Sequence, residues 1–158
     1  MRHPLAYLTT ALAVLALAAC SGGTVKRVSE PSASIQQLTV AADGQWEVQL
    51  RLRNYSSMPM RYDRVTLEVT VGDQVAGTLE AAPALSIGPE SADVITATVQ
   101  PSSAARLVVA DTLAGARSLP YQLKGSLAAT PDERKQRTFD ITSRNSLSPA
   151  PGLTGVLR

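Results

Sequence analysis

Apolar and polar residues alternate along two long segments of the chain, which is typical of β-strands with one buried face and one solvated face. The first segment spans residues 46–53 and the second spans residues 64–71. Both are therefore predicted to be strands that cover a common core. Their inward-facing residues are Trp46, Val48, Leu50 and Leu52 in the first strand, and Val65, Leu67, Val69 and Val71 in the second.

Shorter segments with strand character flank these two, and turns rich in Gly, Pro and Asp separate them. We predict these further strands at residues 35–40, 75–79, 94–99, 119–127 and 137–141. After the Gly72-Asp73 turn, Val75, Gly77 and Leu79 are predicted to share a face. About seven strands of this length predict an all-β domain at residues 34–143, an antiparallel β-sandwich of the immunoglobulin or fibronectin type III kind.

One segment has helical rather than strand character. Ser102 and Ser103 follow a proline and are typical of a helix start, and Gly115 is typical of a helix end. The sandwich is therefore expected to carry one short helix, and residues 144–158 are expected to form a C-terminal tail that frays at its end. The residues at helical spacing, predicted to form one face, are Leu107, Ala110, Asp111 and Ala114.

The N-terminus carries an apolar run at residues 5–19, which follows Arg2 and ends at Cys20. A membrane-spanning helix needs about 20 apolar residues, so this run is predicted to be a secretory signal peptide, residues 1–19. The tetrad Leu17-Ala-Ala-Cys20 resembles the lipobox of bacterial lipoproteins, in which the cysteine receives the lipid. We therefore predict lipidation of Cys20 and a flexible tether at residues 20–33, and the alternative is a cytoplasmic protein with a buried N-terminal helix.

The lipid on Cys20 makes the membrane a predicted partner, because several acyl chains anchor a protein stably. Ser21 at the following position resembles the residue found in lipoproteins of the outer membrane. The predicted location is thus the cell envelope, at the periplasmic face of the outer membrane. Nucleic acid is not an expected partner, because 15 basic residues against 13 acidic ones give a net charge of only +2.

Processing at Cys20 would remove most of the common catalytic chemistry. His3 is the only histidine and Cys20 is the only cysteine. The processed chain would therefore lack a Ser-His-Asp triad, a Cys-His pair and a zinc site made from histidine and cysteine. Glycoside hydrolysis by two carboxylates stays open, although few aromatic residues are present to line a sugar cleft. We predict a protein that is not an enzyme, with no cofactor, no metal and no small-molecule substrate identified.

The segment from Gln49 to Tyr62 resembles the start of the late embryogenesis abundant (LEA) type 2 family, also called the water-stress and hypersensitive-response (WHy) domain. In that family a strand ends in an Asn-Pro-Asn turn before the next strand begins. Further segments fit the same pattern, namely the Gly72 hairpin, Ile87-Gly-Pro89, Tyr121–Leu127 and Arg137-Thr-Phe139. The resemblance covers most of residues 34–143.

This resemblance implies a seven-stranded sandwich with one short helix, an association with desiccation and stress responses, and no known catalytic residues. The chain departs from the family at the Asn-Pro-Asn turn, because only Asn54 is present and Tyr55 and Ser56 replace the other two residues. An asparagine shapes a turn without the proline, so the departure affects any functional role of the motif more than the fold.

Five residues around this turn are predicted to form a contact surface. Arg51 and Arg53 lie on the polar face of their strand, and the loop that follows contains Tyr55, Met58 and Met60. Aromatic and methionine side chains adapt to many partners. Two alternatives stay open: the arginines belong to an ordinary solvated strand face, and the loop packs onto the end of the sandwich.

Two functions are compatible with these features. The first is a non-enzymatic, membrane-anchored periplasmic lipoprotein that protects or stabilises envelope components during stress or desiccation. The second is an accessory lipoprotein that docks an envelope protein partner in a secretion or envelope complex. The resemblance favours the first function, and the anchor, tether and methionine-containing loop favour the second.

Overall fold

The computed structural model describes residues 26–158. The predicted signal peptide, Cys20 and the first part of the predicted tether lie outside the described residues. The described part contains nine strands and one helix: β1 Ser32–Val40, β2 Trp46–Arg53, β3 Met60–Val71, β4 Gln74–Ala81, β5 Leu85–Ile87, β6 Ala92–Val99, α1 Ser103–Ala114, β7 Leu119–Pro131, β8 Arg137–Leu147 and β9 Val156–Leu157.

The strands form two antiparallel sheets around one core. The first sheet has the order β6-β2-β1-β9, and the second has the order β4-β3-β7-β8 with β5 also paired to β3. The antiparallel β-sandwich predicted from the alternation is therefore confirmed. β5 and β9 were not among the predicted strands, because three and two residues are too few to show an alternation.

The core contains the residues that the two long alternating segments predict. All inward-facing positions of β2 and of β3 from Val65 onward are buried, and they belong to one hydrophobic cluster that includes residues of both sheets. Trp46 lies in this cluster, so its prediction as a core residue is confirmed. Burial of this apolar area supplies the main favourable term for folding.

A hydrogen bond between the two sheets lies next to a bulge in β1. The register of β1 against β2 shifts between Ile35 and Gln37, so that Gln36 is the extra residue of the bulge, whereas Ile35 is paired with Leu50. The Ile35 N–H donates to the hydroxyl of Tyr121 on β7 at 2.9 Å, and the same hydroxyl lies 3.4 Å from the Ile35 carbonyl oxygen. Tyr121 thus fastens β7 to β1 across the interior.

Changing Tyr121 to phenylalanine is expected to lower the free energy of unfolding by about 1–2 kcal/mol, because the buried Ile35 N–H loses its acceptor. Tyr62 provides a matched control, since its hydroxyl is buried and has no hydrogen-bond partner in residues 26–158. Burial raises the pKa of both phenols. Tyr62→Phe is expected to leave stability unchanged or increase it in urea denaturation, and equal losses in the two variants would contradict the role given to Tyr121.

The helix lies where the sequence predicts it. The Ser102 side chain caps it by accepting from the Ala105 N–H at 3.2 Å, and Gly115 is the C-cap residue. The buried residues are Ala105, Val109 and Thr112. The four residues at helical spacing, Leu107, Ala110, Asp111 and Ala114, lie on the exposed side of this helix.

Apolar residues occur on all sides of α1, so their spacing in the sequence does not show which side is buried. Leu107 is 72% exposed, whereas the smaller Ala105 and Val109 face the interior, where α1 contacts β3 and β4.

No helix within residues 26–158 has the length and apolarity needed to span a membrane.

The start of β4 also differs from the prediction. Val75 was expected inside, yet it is 52% exposed, whereas Ala76 is buried. The register of β3 against β4 shifts between Val69 and Thr70, so that Ala76 is the extra residue of a bulge. Because the bulge adds one residue, Val75 faces the side of the sheet opposite to the predicted one. Of Val75, Gly77 and Leu79, only Leu79 is buried.

The segments predicted as tail and tether take part in the sheets. β8 extends to Leu147, and β9 lies within the predicted tail, where it pairs with Leu38 and Thr39 of β1. Val156 and Leu157 are buried. At the other end of the chain, β1 already begins at Ser32, within the segment predicted to be flexible.

Candidate contact surface around Asn54

The loop between β2 and β3, residues 54–59, is organised by the side chain of Asn54. This side chain is fully buried, and its Nδ2 donates to the carbonyl oxygens of Met58 at 2.8 Å, Ile87 at 3.1 Å and Gly88 at 2.9 Å. Its Oδ1 accepts from the Ser56 N–H at 2.8 Å. Asn54 therefore closes its own loop and joins it to the turn between β5 and β6.

The segment before β1 runs along this loop. The Ser56 hydroxyl accepts from the Ser29 N–H at 2.9 Å, and Ser57 Oγ accepts from the Arg27 N–H at 2.8 Å. The Ser57 N–H donates to the Arg27 carbonyl at 3.0 Å. These bonds hold residues 27–29 against the end of the sandwich, although the sequence predicted this segment to be part of a flexible tether.

The two methionines of the predicted contact surface lie inside the protein. Met58 is 3% exposed and Met60 is 0% exposed, and Met60 Sδ lies 3.0 Å from the Ser56 hydroxyl. Their burial corrects the prediction that they offer exposed contact area. The loop packs onto the end of the sandwich because Asn54 pulls the Met58 carbonyl inward and Met60 is the first residue of β3.

The remaining three residues of the predicted surface are exposed and adjacent. Tyr55 is 42% exposed, and the guanidinium carbon of Arg53 lies 4.9 Å from the centre of its ring. Arg51 precedes them on the same outward face of β2. Such a cation–π contact contributes about 0.5–1 kcal/mol at an exposed site. We call Arg51, Arg53 and Tyr55 the aromatic–cationic patch.

The charges of this patch are not neutralised locally. In the part of the chain that the structure describes, no carboxylate lies within salt-bridge distance of Arg51 or Arg53. Arg27 borders the patch, because its Nη2 lies 3.4 Å from the Tyr55 carbonyl oxygen and 3.9 Å from Glu90. The patch therefore presents two available guanidinium groups beside one aromatic ring.

The turn between β7 and β8 lies at the same end of the sandwich. Lys26 forms an ion pair with Glu133, and Arg134 donates to the Lys26 carbonyl at 3.1 Å. A groove of about 310 Å³ beside this turn has a mixed lining that includes Arg61, Asp132 and Arg134. Its mixture of charges gives no preference for an anion or a cation.

Asp63 next to this groove is held in its ionised form. Its carboxylate accepts hydrogen bonds from the Thr130 hydroxyl at 2.6 Å, the Gln136 amide at 2.9 Å and the Arg61 Nε at 2.7 Å. The Thr130 bond contributes most to lowering the pKa of Asp63, followed by the Gln136 bond. A general acid requires a raised pKa instead, so the geometry favours a structural role for Asp63.

The lowered pKa gives a test by pH. A carboxyl group with a lower pKa in the folded state stabilises the protein above its unfolded pKa of about 4, and this contribution is lost as the pH falls through the folded pKa. Asp63→Asn is thus expected to destabilise the protein at about pH 7 and to differ less from the wild type at about pH 3 in urea denaturation. Asp140→Asn on the exposed face of β8 is the control, and a pH-independent difference for Asp63→Asn would contradict this assignment.

Within residues 26–158, no group of three or more His, Cys, Asp or Glu side chains is placed to hold a metal ion. What this end of the molecule offers is a rigid loop, an exposed ring and unpaired cations.

The sequence and the fold also relate the chain to known proteins. Residues 49–144 match the family described as late embryogenesis abundant protein, LEA_2, from within β2 to within β8. The chain belongs to the LEA type 2 family. The resemblance inferred from Asn54 and the neighbouring strands is thereby confirmed. No curated relative matches the sequence significantly.

Two solved structures are similar in fold to this chain. The solution structure of AT1g01470 from Arabidopsis thaliana is 12% identical with a TM-score of 0.53, and the match covers 86% of this chain and 91% of that one. The solution structure of At2g46140.1, described as a late embryogenesis abundant protein, is 15% identical with a TM-score of 0.50, covering 90% and 80% respectively. At these identities the similarity establishes the fold alone.

Several contacts of the LEA type 2 domain had no signal in the sequence. Ser56 replaces a residue of the family turn, and its burial against Ser29 depends on a segment that precedes the matched region. The three donors to Asp63 come from β3, β7 and the turn before β8. Only the folded chain brings these residues together.

Proposed function

We propose that this LEA type 2 protein is a non-enzymatic lipoprotein that stabilises components of the cell envelope during drying or osmotic stress. The observation that carries the proposal is the family match over residues 49–144. The aromatic–cationic patch supports a binding role at the protein surface, since it is exposed and its charges are available.

The anchor of the proposed lipoprotein is a lipid on Cys20, inserted at the periplasmic face of the outer membrane. Lys26 is six residues beyond Cys20, and a chain of this length reaches at most about 20 Å. The end of the sandwich around Asn54 is then the end nearest to the membrane, because residues 27–29 are bound there.

Survival of a deletion strain tests the protective function. We expect the strain to survive drying and hyperosmotic shock less well than its parent, and a plasmid with the wild-type gene to restore survival. Equal survival of the deletion strain and its parent under both stresses would contradict the protective function.

Metabolic labelling with an alkyne-tagged fatty acid tests the anchor separately. The wild-type protein is expected to carry the label and to sediment with outer membranes, whereas Cys20→Ser is expected to lose both properties. Ser21→Ala serves as the control, because it changes the neighbouring residue and keeps the thiol. An unlabelled wild-type protein would contradict the anchor and would leave the survival test unaffected.

A second candidate function is that of an accessory lipoprotein that docks one envelope protein. The aromatic–cationic patch favours it, because aromatic residues and arginine are enriched at the centres of protein interfaces. A photo-crosslinking amino acid in place of Tyr55 is expected to capture one dominant protein, and Arg51→Ala with Arg53→Ala to reduce its yield. Diffuse crosslinks that increase under osmotic stress would favour the protective function instead.

A further inference from the structure

An apolar pocket lies at the opposite end of the sandwich, between α1 and the turn that joins β1 to β2. Its volume is about 230 Å³. The helix contributes Val109, Ala110 and Leu113, and the two strands contribute Val40 and Trp46. The pocket exists because α1 packs on β3 and β4 of the other sheet and leaves a gap toward β1 and β2.

Arg106 is the one charged residue among those that line the pocket, and it belongs to the same helix face as Val109 and Ala110. Its guanidinium lies beside Gly44, 3.5 Å from the position that a Cβ of that residue would occupy. Because Gly44 has no side chain and a φ of +81°, the turn leaves room for the guanidinium there.

Arg106 has no acidic partner among residues 26–158. The carboxylate of nearby Asp43 accepts instead from the Gln45 N–H at 3.0 Å. Arg117, just beyond the end of α1, shows the contrasting case, because it forms an ion pair with Asp111. The pocket thus combines an apolar wall with an uncompensated cation, and a guanidinium has the geometry to bind a carboxylate through two parallel hydrogen bonds.

We propose that this pocket binds a short alkyl carboxylate, with the hydrocarbon against Trp46 and Val109 and the carboxylate on Arg106. A dry cavity of about 150 Å³ holds one benzene molecule, so the larger volume here is suited to a chain of about six to eight carbons. Burial of the chain provides the hydrophobic gain, and the charge selects a carboxylate over an alcohol or an amine. The proposal is independent of the anchor and of the protective function.

Trp46 makes binding directly measurable, because it is the only tryptophan in the chain and it lines the pocket. Titration of the protein with octanoate is expected to change the Trp46 fluorescence saturably, with a Kd of about 1 mM. Octylamine, which has the same chain length and the opposite charge, is expected to give no saturable change. A linear response to both compounds would overturn the proposal.

Two variants locate the site. Arg106→Gln is expected to raise the Kd for octanoate about tenfold through loss of the charged hydrogen bonds, whereas Arg144→Gln on the exposed edge strand β8 leaves it unchanged. Ala110→Leu, at an exposed position that lines the pocket, is expected to abolish binding with an unaltered circular dichroism spectrum. Wild-type affinity in both Arg106→Gln and Ala110→Leu would overturn the assignment of this pocket.

Discussion

Replacing Gly125 with alanine is expected to lower the free energy of unfolding by about 3 kcal/mol or more. Gly125 lies on β7 between β3 and β8, opposite Leu67 and Ile141. A Cβ at this position would lie 2.1 Å from the carbonyl oxygen of Thr66 and 3.0 Å from the Cα of Leu67. Both are backbone atoms of a central strand, so the two strands would have to separate, and overpacking of this kind costs a few kcal/mol.

Urea denaturation of Gly125→Ala and Gly88→Ala checks this expectation. Gly88 is the matched control, because the nearest atom to a Cβ there is the Ser91 hydroxyl oxygen at 3.8 Å. Its replacement by alanine is expected to change the free energy of unfolding by no more than about 0.5 kcal/mol. Similar urea midpoints for the two variants would contradict this expectation, because they would show that β3 and β7 move apart with no loss in the free energy of unfolding.

Changing Asn54 to aspartate is expected to have the second large effect, a loss of about 3 kcal/mol or more at neutral pH. The aspartate keeps the acceptor for the Ser56 N–H but has no proton for the carbonyl oxygens of Met58, Ile87 and Gly88. A buried negative charge would then face these oxygens, and an unpaired buried charge is strongly destabilising.

The dependence of this loss on pH identifies its cause. Protonation of the introduced carboxyl group restores one donor and removes the charge, so the defect of Asn54→Asp should shrink when the pH is lowered to about 4. Asn145→Asp, at an exposed position on β8, introduces the same charge without burial and is expected to be nearly neutral. A defect of Asn54→Asp that stays constant with pH would show that shape, not charge, explains it.

The sequence predicts the parts of the fold that depend on a long alternation. β2 and β3 have eight and twelve residues, so a period of two is visible and determines which face is buried. β9 shows where this prediction fails, because two apolar residues are too few to show an alternation. Their burial depends on pairing with the edge of β1.

The candidate site shows a second limit. Asn54 is recognisable as a turn residue, but two of its three acceptors belong to Ile87 at the end of β5 and to Gly88 in the turn that follows. Met58 and Met60 follow two serines in the sequence, and their burial depends on the bond of Asn54 to the Met58 carbonyl and on the pairing of Met60 within β3. Arg106 and Gly44 show the same limit of prediction from sequence. They are distant in sequence and lie side by side only because α1 is placed beside the turn between β1 and β2.

The position of β1 determines how the domain responds to mechanical force. The chain enters the sandwich at Ser32, and from there β1 is hydrogen-bonded to β2 along its length and to β9 near its end. A pull on the N-terminal segment is directed along this strand, and antiparallel hydrogen bonds lie perpendicular to it. The bonds between β1 and β2 are therefore loaded in shear, so they yield together instead of opening one after another.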